Sequence, residues 1–203
     1  MKQKIAIVDY GRGNLRSVEK ALIYLNYGAF ITSDPKELKK ADKIVLPGVG
    51  AFGDAINELT KNNLIEPLKE MILEKKKPFL GICLGFQLLF EGSEESPGVK
   101  GLSLIKGKVV KFKISQKVPH MGWNQIYIKK DTPLYKEISS GSFVYFVHSF
   151  YAICNDKNDI ATITDYEIDF TSSVVKDNIM ATQFHPEKSQ KVGLQILKNF
   201  GEL

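Results

Sequence analysis

Cys83 stands in Gly81-Ile82-Cys83-Leu84-Gly85, where an apolar strand pattern turns directly into an apolar helix pattern. Strand, tight turn and helix in that order have the form of a nucleophile elbow, with cysteine in the place of serine. The small flanking residues let the turn approach neighbouring backbone and enter strained φ/ψ space. A sulfur at a helix start also meets free N–H groups, which favour negative charge on it. The same five residues would suit a buried cysteine between two packing glycines, and alone they do not choose.

A nucleophile of this kind needs a base, itself oriented by a third group. Of the three histidines, His185 lies in Gln183-Phe184-His185-Pro186-Glu187-Lys188, just past an apolar strand pattern. At an extended strand end, residues two apart project to the same side, so Glu187 can accept from one ring nitrogen while the other faces the thiol. His148 and His120 have no acid so close in sequence, which points to structural or substrate-adjacent roles. An oxyanion hole would take the N–H of Leu84 and a second N–H from a neighbouring strand-end loop. Pro47-Gly48-Val49-Gly50 is the candidate, although it also reads as a plain strand-to-helix turn.

Other chemistries fit poorly. No Cys/His pair has metal-ligand spacing. Gly11-Arg12-Gly13 follows the first strand, but Arg16 stands where a dinucleotide fingerprint needs its third glycine. No cofactor is expected.

The elements that must position these residues alternate in the first half. Strands are expected at Lys4–Asp9, Phe30–Thr32, Lys43–Leu46 and Pro78–Ile82. Helices are expected at Leu15–Tyr27 (closed by Gly28), Ala51–Lys61, Leu64–Glu74 and Leu84–Phe90. This order argues a parallel sheet covered on both faces. From Leu104 to Phe184 the pattern becomes strands at 108–114, 124–129, 142–147, 150–154, 159–164, 170–176 and 179–184. Asp177-Asn178 serves as a hairpin turn, and a helix closes the chain at Gln190–Phe200. The expected fold is α/β, a mostly parallel central sheet flanked by helices with an antiparallel β extension, in one domain over residues 1–203.

Composition agrees. At 203 residues the chain can bury a full core without disulfide or metal staples. Its net charge of +5 comes from 28 Lys and Arg against 23 Asp and Glu, yet only Arg12 and Arg16 are arginines. The lysines are scattered among acids, a solvated surface rather than a nucleic-acid stripe. The apolar run Phe79–Phe90 falls short of the ~20 residues of a membrane span. Two cysteines in unlike contexts fit a reducing, cytoplasmic setting.

Taken together, Gly81-Ile82-Cys83-Leu84-Gly85-Phe86-Gln87 and Phe184-His185-Pro186-Glu187 resemble the two signatures of class I (triad-type) glutamine amidotransferases. Asp9-Tyr10-Gly11-Arg12-Gly13-Asn14-Leu15, Pro47-Gly48-Val49-Gly50-Ala51-Phe52-Gly53, Pro119-His120-Met121-Gly122-Trp123-Asn124 and His185-Pro186-Glu187-Lys188-Ser189 narrow the resemblance. They are similar to segments of the glutaminase subunits of imidazole glycerol phosphate synthases.

The resemblance implies that Cys83 attacks the side-chain amide of glutamine, with His185 and Glu187 completing a triad. It implies Gly50, Gln87 and Glu95 at the substrate, the last two at its α-amino end, and the backbone of Ser149 and Phe150 near its carboxylate. Position 150 is often Tyr in related sequences; Phe150 has no hydroxyl to offer. The resemblance further implies a (β/α)₈-barrel cyclase subunit as heterodimer partner, fed with ammonia across a face carrying Asn14, Met121, Trp123, Tyr145 and Lys188. Trp123 alone would also suit an ordinary half-buried aromatic, whereas an exposed aromatic on a loop marks an interface anchor. Finally, it implies that the Gly48–Val49 peptide rotates to offer the Val49 N–H only when the partner is engaged. The rivals are another amidotransferase glutaminase, a free-standing cysteine hydrolase and an inactive binding module.

Overall fold

The computed structural model describes residues 2–203. Its centre is the run of short apolar segments read as parallel strands. β1 (Lys4–Val8), β2 (Gly28–Thr32), β3 (Lys43–Gly48) and β4 (Phe79–Cys83) pair in parallel in the order β2-β1-β3-β4. Alternate residues feed two separate cores: Ala6, Val8, Ile44 and Leu46 join one, Ile5, Ile7 and Val45 the other. That period-two division is what a sheet buried on both faces requires.

Beyond β4 comes β11 (Ile179–Thr182), parallel to β4 but antiparallel to β10 (Asp169–Lys176). The sheet then runs on through β9 (Ile160–Asp165), β6 (His120–Ile128) and β7 (Ser142–His148), nine strands along this path. β5 (Gly107–Lys111) and β8 (Phe150–Cys154) form a side branch on β10. The α/β class, the parallel first half and the antiparallel second half are as expected, and Asp177-Asn178 turns the β10–β11 hairpin.

The helices differ in detail. α1 (Leu15–Tyr24) stops before Gly28 because Asn26, not the glycine, takes the left-handed conformation at φ 70°. α2 (Pro35–Lys40) was not expected; Asp34 caps it by accepting the Lys36 N–H at 2.8 Å. α3 (Phe52–Lys61) matches its reading, with Ala51 as the residue before it. The helix expected at Leu64–Glu74 is α4 (Ile65–Lys69) running into a π turn at Glu70–Glu74.

The helix after Cys83 is a single turn, α5 (Leu84–Gln87), rather than Leu84–Phe90. The carbonyls of Leu88, Leu89 and Phe90 accept from the N–H groups of Leu102 to Ile105, so the chain leaves the helical path. α6 (Gln190–Glu202) closes the chain. β6 begins at His120, not at residue 124, because its first residues pair with β7 through His120↔His148. Trp123 therefore stands on a strand rather than a loop. Among the described residues no helix is long and apolar enough to cross a membrane.

Candidate active site

The nucleophile is placed by the end of β4. Cys83 has φ 55° and ψ −106°, a positive-φ conformation that L-residues avoid and that marks a strained turn. Two glycines make the strain tenable. A Cβ on Gly85 would collide with the Leu46 carbonyl oxygen, and one on Gly81 would lie 2.8 Å from the Gly85 oxygen. The turn can therefore pack against β3 only with glycine at both flanks. Cys83 pairs in register with Gly48 at the end of β3, which brings Pro47-Gly48-Val49-Gly50 beside the sulfur, as the sequence suggested.

β11 leads His185 to the same point. Its ring is buried, and Nδ1 lies 2.8 Å from Glu187 Oε1. The two do not share an extended strand end, however. His185 is extended, and a 3₁₀ turn over Pro186–Lys188 then curls Glu187 back under the ring. The Glu187 side chain is only 1% exposed, so this pair works in a medium poor in water. His185 Nε2 and Glu187 Oε2 are both buried without an ordinary hydrogen-bond partner.

Burial pushes the His185 pKa down. Electrostatic coupling to Cys83 and the hydrogen-bonded Glu187 carboxylate together outweigh that and hold it well above the usual histidine value. The arrangement favours an imidazolium at His185 beside the nucleophile sulfur.

A cavity of about 360 Å³ opens over the sulfur. Val49, Gly50, Cys83, Leu84, Gln87, Glu95, Pro119, Val147 to Phe150 and His185 line it, with Gln87 and Phe150 in direct hydrogen-bond contact. Every residue singled out for catalysis, the oxyanion or substrate faces this space except Glu187, which sits behind His185. Glu95 spends Oε2 on the Phe52 N–H at 2.7 Å. Phe150 turns its carbonyl to Gln87 Nε2 at 3.1 Å and His148 Nδ1 at 2.8 Å, so that oxygen is already engaged.

A second set lies outside the cavity. Met121 and Trp123 are exposed on β6, Tyr145 faces Trp123 from β7 in edge contact at 6.1 Å, and Lys188 Nζ sits 5.9 Å from the centre of the Tyr145 ring. Tyr145 is tied directly to the His185 segment: its carbonyl accepts the His185 N–H, and its N–H donates to Ser189 Oγ, both at 2.9 Å. Asn14 is exposed before α1 and accepts from Ser17 Oγ.

Three contributors were not read from the sequence. Gln183, fully buried, donates Nε2–H toward Cys83 Sγ at 3.9 Å. Tyr10, also fully buried, packs its hydroxyl where a Gly48 Cβ would be. Phe143 is exposed on β7, two residues before Tyr145. Only Phe143 was signalled, by its alternation with Tyr145. Among the described residues no three His, Cys, Asp or Glu side chains gather as metal donors.

Residues 6–202 match the model of "Glutamine amidotransferase class-I". An imidazole glycerol phosphate synthase subunit HisH of Caldanaerobacter subterraneus subsp. tengcongensis is 55% identical over 199 residues, covering 98% of each chain. A HisH subunit of Pyrococcus furiosus is also 55% identical, over 204 residues, covering 98% of this chain and 99% of its own. Among solved structures, PurLQS from Thermotoga maritima superposes with a TM-score of 0.77 at 19% identity, covering 100% of this chain and 97% of that one, and so shares the fold. With its elbow cysteine, its buried His–Glu pair and a family match over nearly its whole length, the chain belongs to the class-I glutamine amidotransferase family.

Proposed function

We propose that this chain is the glutaminase subunit of an imidazole glycerol phosphate synthase, one amidotransferase domain over residues 1–203 that works in the cytoplasm. The observation that carries the reading is the convergence of a strained Cys83, a buried His185–Glu187 pair and a cavity of about 360 Å³ over the sulfur.

Cys83 attacks the side-chain amide carbon of glutamine as thiolate. The oxyanion that forms takes the Leu84 N–H and, after rotation of the Gly48–Val49 peptide, the Val49 N–H. The imidazolium of His185 protonates the departing nitrogen, and ammonia leaves with its electron pair. His185, now neutral, draws a proton from water, which attacks the γ-glutamyl thioester; collapse expels the Cys83 sulfur as thiolate beside the restored imidazolium, and the γ-carboxyl of glutamate releases its proton to solvent. Glu187 fixes the ring and balances its charge throughout. Gln87 and Glu95 hold the substrate's α-ammonium, and the backbone at Gly50, Ser149 and Phe150 shapes the rest of its seat.

The partner is a (β/α)₈-barrel cyclase subunit, docked on the face of Asn14, Met121, Trp123, Tyr145 and Lys188. It spends the ammonia on a ribonucleotide, giving imidazole glycerol phosphate and an aminoimidazole carboxamide ribonucleotide. Support for this face comes from the exposed aromatics on β6 and β7 and from the direct tie of Tyr145 to His185. The 50–55% identity to HisH subunits over almost the full chain supports the same assignment.

Acid-quenched mixtures of the chain, a barrel cyclase subunit and glutamine test the chemistry. The account expects a γ-glutamyl adduct on the peptide containing Cys83, absent in Cys83→Ala. Turnover without any Cys83 adduct, or undiminished in Cys83→Ala, would refute it.

A further inference from the structure

Behind the cavity wall the side chains and the Phe150 carbonyl form one continuous line of hydrogen bonds in which the donor and acceptor of each bond are fixed. The Phe150 carbonyl can only accept, so His148 Nδ1 carries its hydrogen toward it at 2.8 Å. The His148 lone pair is then on Nε2, where His120 Nδ1 donates at 2.9 Å, and His120 Nε2 in turn accepts from Asn124 Nδ2 at 3.2 Å. From the other side, Gln87 Nε2 donates twice, to the Phe150 carbonyl at 3.1 Å and to Gln183 Oε1 at 2.9 Å. Gln183 has only its Nε2 left, and that points at Cys83 Sγ, 3.9 Å away.

Two consequences follow from counting hydrogens. Both Nε2 hydrogens of Gln87 are spent inside the protein, so the one atom of its carboxamide left for the cavity is Oε1, a pure acceptor. Reversing either amide would set oxygen against oxygen or N–H against N–H in a buried site, at a heavy energetic penalty. Gln183, meanwhile, places a fixed donor beside the sulfur, where it favours the charged over the neutral form.

We propose that Gln183 and His148 are positioning residues of the amidotransferase site. Gln183 locks the Gln87 carboxamide with its acceptor toward the substrate ammonium and aims an N–H at the Cys83 sulfur. His148 anchors the same lock through the Phe150 carbonyl. The proposal rests on the glutaminase reading for the identity of the ammonium, but not for the donor on the sulfur. The other groups that face or charge-couple to Cys83 are His185 and the buried Tyr10, with the Val147 carbonyl at 3.9 Å.

The test combines glutamine kinetics of the complex with the pH dependence of iodoacetamide alkylation at the Cys83 peptide, read by mass spectrometry. Gln183→Met removes both the acceptor for Gln87 and the donor to sulfur. It is expected to raise KM for glutamine about tenfold and to move the alkylation midpoint up by about one pH unit. Gln183→Glu keeps an acceptor for Gln87 but sets a carboxylate beside the sulfur, so the midpoint rises while KM stays within about threefold. His148→Leu raises KM without moving the midpoint, and His148→Asn, which keeps a donor near the Nδ1 position, brings KM back. KM and midpoint both at wild-type values in Gln183→Met overturn the proposal, as does a His148→Leu enzyme with unchanged KM. Should Gln183→Met not fold, the Gln183→Glu and His148 results decide alone. A complex that alkylates as described but never hydrolyses glutamine would instead reject the glutaminase reading and leave the sulfur donor standing.

Discussion

The imidazoles of His120 and His148 meet nitrogen to nitrogen at 2.9 Å across the β6–β7 pair, and with the Phe150 carbonyl accepting at one end and Asn124 Nδ2 donating at the other the hydrogens present suit two neutral rings. A second proton on either would set two donors face to face. Burial agrees with this, lowering His120 to about 4 and His148 to about 3.

Acid stability should follow. Unfolded histidines take protons near pH 6.5, far above the folded values, so between those limits the unfolded chain binds more protons than the native one. The stabilisation is complete above about pH 6.5 and is lost as pH falls through about 4 toward about 3, on the order of a few kcal/mol. Urea unfolding across that range measures it. Stability that stays flat, or rises on acidification before carboxylates titrate, would contradict the assignment.

Gly85→Ala should be among the costliest single-methyl changes in the chain. Its Cβ would overlap the Leu46 carbonyl oxygen, which is backbone of the central β3 and has nowhere to move. A loss of about 2 kcal/mol or more is expected, with turnover reduced because the elbow shifts. Wild-type Tm and activity would show that the turn packs against β3 more loosely than described.

Tyr10→Phe should do the opposite. The hydroxyl of Tyr10 is buried without a hydrogen-bond partner, and burial together with the Cys83 charge raises its pKa, so it stays protonated. Deleting an unsatisfied buried oxygen relieves its desolvation penalty, and the variant should gain about 1 kcal/mol. Thermal unfolding reads this; a loss of 1 kcal/mol or more means that the hydroxyl has a partner in the folded protein.

Glu187→Gln should leave the fold intact and cut turnover by about 10²–10⁴-fold, since the amide still bonds the ring but no longer balances its charge. Steady-state kinetics at saturating glutamine measure kcat directly. A decrease of less than tenfold would remove Glu187 from the triad.

Trp123→Ala should weaken association with the cyclase subunit by about 2 kcal/mol, roughly 30-fold in Kd, as loss of a central aromatic anchor does. Titration calorimetry gives the value. An unchanged Kd would place the docking face elsewhere.

How far the site was legible depended on whether its chemistry was local in sequence. Cys83 with its glycines, and His185 with Glu187, are short-range patterns imposed by a turn or by two neighbouring residues, and they could be read directly. The exposed Trp123 could be read too, but not its place on a strand, because β6 extends back to His120 only through pairing with β7. Gln183 was invisible for a different reason. Its role depends on the register of β11 against β4, which sets Thr182 beside Ile82 and so brings the next residue of each strand together. The one-turn length of α5 was likewise set at a distance, by residues 102–105 taking the carbonyls of 88–90. Apolar periodicity in Leu84–Phe90 carries no trace of that competition.

Glutamate release from glutamine, measured on the purified chain alone and then with a barrel cyclase subunit and its ribonucleotide, tests the central claim most directly. The account predicts near silence from the chain alone and activation of about 10²–10³-fold in the loaded complex, the worth of one oxyanion donor. Equal rates in the two conditions would contradict it, leaving a Cys83 hydrolase that needs no partner.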